Sequence, residues 1–209
     1  MKIRDISIFA SLDTEELDTL EISGEISERS YRRGERVFSA GDTPTSIGIV
    51  LSGGVRIEAN DIWGDRTVMS IIEPGQVFGE SYALCHETLA VDAVCAVDSE
   101  ILHLRTSALS RWETGIKLTR ALLTACARKN LRLSARIFCT SPKTIRARVL
   151  TYLSSCALSK GSHTFTIPFD RQELADYLNV DRTALSKELG KLAKEGKLSF
   201  RKNSFILNA

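Results

Sequence analysis

Asp170-Arg171-Gln172-Glu173-Leu174-Ala175-Asp176-Tyr177-Leu178-Asn179-Val180-Asp181-Arg182-Thr183-Ala184-Leu185-Ser186-Lys187-Glu188-Leu189 reads as two short helices joined by a tight turn. Asp170 with Glu173 three residues on is a capping-box pattern that starts the first helix. Leu174 and Leu178 lie four apart on its inner face, and the small Ala175 lets another helix approach closely. Asn179 tolerates the left-handed conformation that a sharp turn needs. Asp181 can then cap a second helix, on which Leu185, Leu189 and Leu192 form one apolar stripe. Arg182, Thr183, Ser186 and Lys187 face the other way; all four donate hydrogen bonds and none is an acid. The pattern predicts a helix-turn-helix whose second helix reads DNA.

A small helical hairpin with a polar outer face is the plainer reading of that spacing, and the flanking residues weigh against it. Lys194-Glu195-Gly196-Lys197 ends the second helix with a glycine at its stop. Leu198-Ser199-Phe200 and Phe205-Ile206-Leu207 then flank Arg201-Lys202-Asn203-Ser204, a small hairpin with a basic tip. Lys191, Arg201 and Lys202, with Lys194, are expected to meet phosphates or solvate the surface. Charge is distributed to match: residues 140–209 hold 12 Lys+Arg and 6 Asp+Glu, a net of +6. The rest, with 16 basic and 20 acidic groups, nets −4, so the chain total of +2 hides an acidic body with a basic end.

Hydrophobic residues at 43% and charged residues at 26% describe a globular chain. No apolar run approaches the roughly 20 residues that cross a bilayer. The stretch Met1-Lys2-Ile3-Arg4-Asp5-Ile6 lacks the apolar core of a signal peptide, so a cytoplasmic protein with no membrane partner is expected. Cys85, Cys95, Cys126, Cys139 and Cys156 have no metal-ligand spacing, and their odd number argues against a disulfide framework; most are expected to be small buried side chains. Three scattered histidines do not supply the ligand set of a metal-dependent enzyme, so no catalytic residue and no metal are assigned.

Residues 3–22 carry the spacing of one or two short helices, with Ile6, Ile8, Phe9, Leu12, Leu17, Leu20 and Ile22 as their apolar set. From residue 30 short apolar strands follow at intervals of about ten residues, with Gly, Pro or Asp between them. They run through Val37-Phe38, Ile47 to Leu51, Val55 to Ile57, a turn over 60–65, Val68 to Ile72, Val77-Phe78, Val91 to Val97 and Ile101 to Leu104. An antiparallel sandwich or jelly roll is the architecture that such spacing predicts. Residues 107–139 then switch to helical spacing. Leu123, Cys126, Asn130, Leu133 and Ile137 are spaced 3, 4, 3, 4, as a coiled-coil seam requires, with Asn130 at a position where a polar residue favours a parallel pair in one register. A long helix packed on its own domain is the plainer reading; the seam reading makes the chain a homodimer. Ser141 is expected to cap the next helix, with Pro142 in its first position.

A jelly roll, a long dimer helix and a winged helix-turn-helix, in that order, resemble the Crp/Fnr family of bacterial transcription regulators. The residues that carry the resemblance are Gly34-Glu35, Gly41-Asp42, Leu51-Ser52-Gly53-Gly54-Val55, Pro74-Gly75-Gln76-Val77-Phe78-Gly79-Glu80 and Arg171-Gln172-Glu173-Leu174-Ala175. The resemblance implies an α+β chain with an effector-sensing roll over 1–106, a linker and dimerisation helix over 107–139, and a DNA-binding domain over 140–209. It also implies a homodimer on a two-fold-related site in double-stranded DNA, and RNA polymerase as a further partner if the regulator activates. Arg182 occupies the place of the family's base-reading Arg, and Ser186-Lys187 stand where related members often carry Ser-Arg. Thr183 replaces a Glu that accepts a bond from cytosine in many members, which puts the familiar half-site in doubt. Arg171 is counted with the DNA-binding set.

The family's effector loop points to Gly79, Glu80, Ser81, Tyr82, Ala90 and Val91, with Ser134 on the long helix as a common residue type that adds little by itself. In members that bind cyclic AMP the loop returns with Arg-Ser, and the Arg neutralises the cyclic phosphate. Here Ala90 stands at the Arg position and Val91 at the Ser position, beside the acids Glu87 and Asp92, so cyclic AMP is rejected. An iron–sulfur cluster needs closely spaced cysteines near the N-terminus and is rejected as well. Haem could find a ligand in Cys85-His86, but an exposed histidine beside a buried thiol is the plainer reading. His103 reads as structural. Small-molecule control of unknown chemistry remains. A constitutive DNA binder with a vestigial pocket, or a ligand-binding module whose helix-turn-helix serves protein contacts, are the alternatives.

Overall fold

Apolar residues at alternate positions, cut by turns, build two four-stranded antiparallel sheets in the computed structural model, which describes residues 3–60, 63 and 66–208. In chain order the strands are β1 (Ile26–Tyr31), β2 (Arg36–Phe38), β3 (Ser46–Ser52), β4 (Val55–Asn60), β5 (Arg66–Ile72), β6 (Val77–Phe78), β7 (Asp92–Cys95) and β8 (Ser99–Arg105). One sheet has the order β1-β8-β3-β6 and the other β2-β7-β4-β5. Sequence neighbours β3 and β4 fall in different sheets, which closes the jelly roll. Asp61, Ile62, Gly64 and Asp65 of the turn expected over 60–65 lie outside the described residues.

In the first sheet, β3 is buried on both faces, which is why it reads as an unbroken apolar run and not as an alternation. The sheet's outer face, with Ile26, Ile47, Ile49, Leu102 and Leu104, packs on α1 (Thr14–Ile22), on Ile6, Ile8 and Phe9, and on Leu118 and Leu122 of α3 (Glu113–Thr140). Its inner face, with Val50, Ile101 and Phe78, meets Val55, Ala93 and Cys95 of the second sheet. Gly48 on β3 makes this possible: a Cβ there would lie 2.3 Å from the Phe78 ring, which fills the space instead. A capping box starts α1, with Glu16 N–H donating to Asp13 Oδ1 at 2.9 Å and Asp13 N–H to Glu16 Oε2 at 3.0 Å. Glu16 also takes Lys117 Nζ of α3 at 2.8 Å, and that bond holds its carboxyl below the usual carboxylate range.

The chain packs as two units, Met1–Cys126 and Ala127–Ala209, and the division falls within α3. The second unit holds α4 (Ile145–Lys160), β9 (Thr164–Thr166), α5 (Arg171–Leu178), α6 (Arg182–Lys194), β10 (Leu198–Arg201) and β11 (Ser204–Leu207). Its core is formed by Val149, Tyr152 and Leu153 of α4 against Leu174, Leu178, Leu185 and Leu189, with Cys139 from the end of α3.

Several expectations need correction. Strand β1 begins at Ile26, ahead of residue 30; its interior, Ser27 to Ser30, is exposed, so no apolar alternation marks it. Ile22 is exposed at the end of α1. The cap of α4 is Thr144, whose hydroxyl accepts from Ala147 N–H at 3.1 Å. Ser141 instead donates back to Ile137 O at 2.7 Å and finishes α3, and Pro142 lies between the two helices. Proline disfavours a helical conformation in the residue before it, so the restart falls later than the Ser-Pro pair suggested. Cys85 is exposed, Cys126 and Cys156 are half-buried, and Cys95 and Cys139 are buried.

Candidate nucleic-acid interface and effector loop

The helix-turn-helix is closed by local bonds at every joint. Asp170 and Glu173 complete the capping box at 2.8 and 2.7 Å. Asn179 takes the left-handed conformation, φ 52 and ψ 56, and Val180 N–H bonds Ala175 O at 3.0 Å, which satisfies carbonyls at the end of α5. Asp181 Oδ1 accepts from Ala184 N–H at 2.8 Å and starts α6. Leu185, Leu189 and Leu192 are fully buried, which fixes the rotation of α6 and turns Arg182, Thr183, Ser186 and Lys187 outward.

Three arginines that sequence reading did not single out hold this motif. Arg148 donates to Leu178 O at 3.2 Å, Asn179 O at 2.9 Å and Pro142 O at 2.8 Å, clamping the end of α5. Arg136 reaches Tyr177 O and Asp176 O at 3.3 and 3.2 Å, where the negative end of the α5 dipole favours a cation. Arg146 on α4 binds Glu188 of α6 at 3.3 Å and, through two bonds, Glu195, which caps the end of that helix. With those carboxylates engaged, the outer face of α6 keeps its positive character.

The wing is a three-stranded sheet of order β10-β11-β9, one strand more than the sequence indicated. Arg201 pairs with Ser204, so the turn is only Lys202-Asn203, with Lys202 at φ 55. Phe205 stacks on Phe200 and Phe165 at 5.9 and 6.3 Å. Lys191, Arg201 and Lys202 are exposed. Arg171 differs from them: it is half-buried, its guanidinium lies 5.1 Å from the Phe200 ring centre, and it donates to Lys202 O at 3.3 Å. It braces the wing against α5.

On α3, Leu123, Leu133 and Ile137 are 69%, 61% and 63% exposed, Asn130 is exposed and Cys126 is half-buried. No residue from 127 to 138 is buried, although Leu131 and Phe138 are also large and apolar. Ser134 is exposed and donates to Asn130 Oδ1 at 3.4 Å.

In the first unit Gly79, at φ 74, opens α2 (Glu80–Cys85). Glu80 is buried, Tyr82 and Val91 are half-buried, and Ser81 and Ala90 are exposed. The loop is tied down by Leu89 N–H to Asp42 O and Gly41 N–H to Leu89 O, both 2.9 Å. Asp92, buried, takes Ala40 N–H at 2.8 Å and Arg36 at 3.4 Å. Cys85 and His86 are both exposed, and no group of three metal-binding side chains occurs among the described residues. No described helix is long and apolar enough to cross a membrane.

Comparison with known proteins matches residues 28–112 to the cyclic nucleotide-binding domain and residues 147–209 to the Crp-like helix-turn-helix domain. The chain is 25% identical to the transcriptional activator protein FnrL of Cereibacter sphaeroides, over 98% of this chain and 85% of that protein. It is 28% identical to the cyclic AMP receptor protein of Thermus thermophilus, over 90% and 86% respectively. Among solved structures, the catabolite activator protein of Thermus thermophilus superposes with a TM-score of 0.52 at 26% identity, covering 97% of this chain and 93% of that one.

Proposed function

We propose, from the premise that this chain belongs to the Crp/Fnr family of DNA-binding transcription regulators, that it acts as a homodimer and reads a two-fold-related site under the control of a small molecule other than cyclic AMP. The observation that carries the DNA-reading part is the capped α6 with Arg182, Thr183, Ser186 and Lys187 exposed and the acids Glu188 and Glu195 drawn back onto Arg146. Arg182 is positioned for bidentate bonds to guanine, Ser186 and Lys187 for neighbouring base edges, and Lys191, Arg201 and Lys202 for phosphates. Arg171 contributes by fixing the wing. One recognition helix in each of two successive major grooves sets half-sites about one helical turn apart.

Dimerisation is supported by the unburied second half of α3. The stretch from Leu123 to Ile137, about four turns with Leu123, Leu133 and Ile137 exposed, gains little from its own propensity and buries its apolar edge when a second copy packs on it. We assign 1–106 to sensing, 107–139 to linkage and pairing, and 140–209 to DNA. The rejection of cyclic AMP is supported by Ala90 and Val91, which put no cation at either loop position, and by Arg36, on the strand that pairs with β7, being held by Asp92. A cytoplasmic location, and contact with RNA polymerase if the regulator activates, follow from the same reading.

Selection of binding sites from random duplex DNA by the purified protein tests it. Enrichment of a palindrome, in a pattern that added cyclic AMP leaves unchanged, is the expected result. Absence of any enriched site, with and without cell extract as a source of effector, overturns DNA reading. A palindrome that emerges only with cyclic AMP overturns the effector assignment.

A further inference from the structure

The roll has a cavity of about 480 Å³ that the family's loop does not line. No residue from 79 to 91 borders it; its walls come from β1, β2, β3 and β8 and from the residues after β8. The reason lies in two aromatic rings. Phe38 and Phe78 pack 5.5 Å apart, and Phe38 fills the space above Gly79, where a Cβ would come within 2.9 Å of its ring. The aromatic pair closes the roll beneath the loop and leaves the open volume on the β1-β8-β3 side.

Register decides what faces that volume. Ser27, Arg29 and Tyr31 alternate onto one face of β1, His103 lies opposite both Ser27 and Gly48, and Arg105 lies opposite Ser46. The Tyr31 hydroxyl and His103 Nε2 share a hydrogen bond of 2.9 Å, and Ser46 Oγ lies 3.4 Å from His103 Nδ1. His103 is buried, and burial together with the Arg29 charge keeps it neutral. The lining residues include two arginines and no carboxylate. No ion pair engages Arg29 or Arg105 among the described residues. A pocket of this volume is the size of small-ligand sites. Two guanidiniums outside any ion pair among the described residues, that of Arg29 beside the Tyr31 hydroxyl, together with an apolar wall at Val37 and Phe38, define its chemistry, since a guanidinium offers a planar pair of donors that matches an oxyanion.

We propose that this cavity binds a small organic oxyanion, its carboxylate or phosphate held between Arg29 and Arg105 and its apolar body laid against Val37 and Phe38. The site rests on the effector-responsive reading only for its consequence on DNA binding. That consequence has a route within the first unit: Arg105 leads through Thr106 and Ser107, which line the cavity, into the short 3-10 turn Thr106–Ser110 that precedes α3.

The test uses the full-length protein in chloride buffer, with phenyl phosphate and benzoate as probes and benzyl alcohol as their neutral counterpart, by calorimetry and by the ring resonances of His103. The expected result is that at least one anion binds and shifts the His103 signals, that benzyl alcohol binds far more weakly, and that Arg29→Gln with Arg105→Gln weakens the anion about tenfold or more. Both arginines are exposed, so the variant should keep the wild-type unfolding temperature; the His103 shift in the wild-type protein decides the matter if it does not. Binding of neither anion, binding that leaves His103 unmoved, equal binding by the double variant, or equal affinity for benzyl alcohol would each overturn the site. An anion that binds as expected without altering DNA affinity leaves the site standing and removes only its regulatory meaning.

Discussion

Arg182 is the first residue of α6 and is exposed, and no described residue forms an ion pair with it. Arg182→Ala is expected to cost about 1–3 kcal/mol on the selected site and to relax base preference at one position in each half-site. Equal loss on matched and scrambled duplexes, measured by fluorescence anisotropy, would remove Arg182 from the base readers. His103 presents the opposite case, a titratable ring that the fold keeps neutral, its pKa pushed down to about 4 by burial and then by Arg29. Because the unfolded chain takes up a proton near pH 6.5 and the folded ring resists until about 4, stability is full above 6.5 and falls as pH drops through that window. The loss approaches roughly 3 kcal/mol at its acid end. Urea midpoints at pH 7 and pH 5 should differ in wild type, with a smaller difference in His103→Gln; an unchanged difference in that variant would assign the pH dependence to other groups. Residues of both kinds were only partly legible. The caps at Asp170 and Asp181 act over three positions and can be read off spacing. Apart from Pro142 O, the acceptors of Arg136, Arg146 and Arg148 come from segments 30 or more residues away, and no local pattern announces them.

At the scale of the element, legibility follows what buries each one. The helix-turn-helix was readable because α5 and α6 each present one apolar face to one core, so spacing maps directly onto contact. Strand β1 was not, because only Ile26 of its six residues is buried and the strand exists by pairing with β8. Strand β9 escaped for a like reason: three residues joined to a hairpin carry no period of their own. The second half of α3 keeps a heptad pattern in which no residue from 127 to 138 is buried, and Asn130 sits in the middle of that pattern. Two Asn side chains facing each other in a parallel pair can share a hydrogen bond, whereas two carboxylates repel. Asn130→Asp is therefore expected to raise the dimer dissociation constant at least about tenfold, since like charges brought together at an interface cost several kcal/mol. Sedimentation at low micromolar concentration reads it directly. An unaltered profile would move the pairing surface away from Asn130.

For the whole molecule, the decisive quantity is the division of charge between its two ends. The last 70 residues net +6 while the rest nets −4, so phosphate binding draws on one end and the acidic end opposes any nonspecific spread of nucleic acid over the protein. The chain offers exposed Lys187, Lys191, Lys194, Arg201 and Lys202 around the helix that also carries Arg182. If three or four of these meet phosphates in each copy, the proposed dimer neutralises roughly six to eight, and log K should fall against log salt with a slope of about −5 to −7. Removing one phosphate-binding lysine per protomer, as in Lys202→Ala, should make that slope shallower by about two in the dimer, while base preference holds. The same change at Arg182 should alter preference more than slope. A helix-turn-helix that served protein contacts instead would show neither the steep slope nor its stepwise reduction. Titrations of the selected duplex between low and physiological salt, for wild type and the two variants, separate these cases, and a slope near zero in the wild type would return the basic end to the role of a solvated surface.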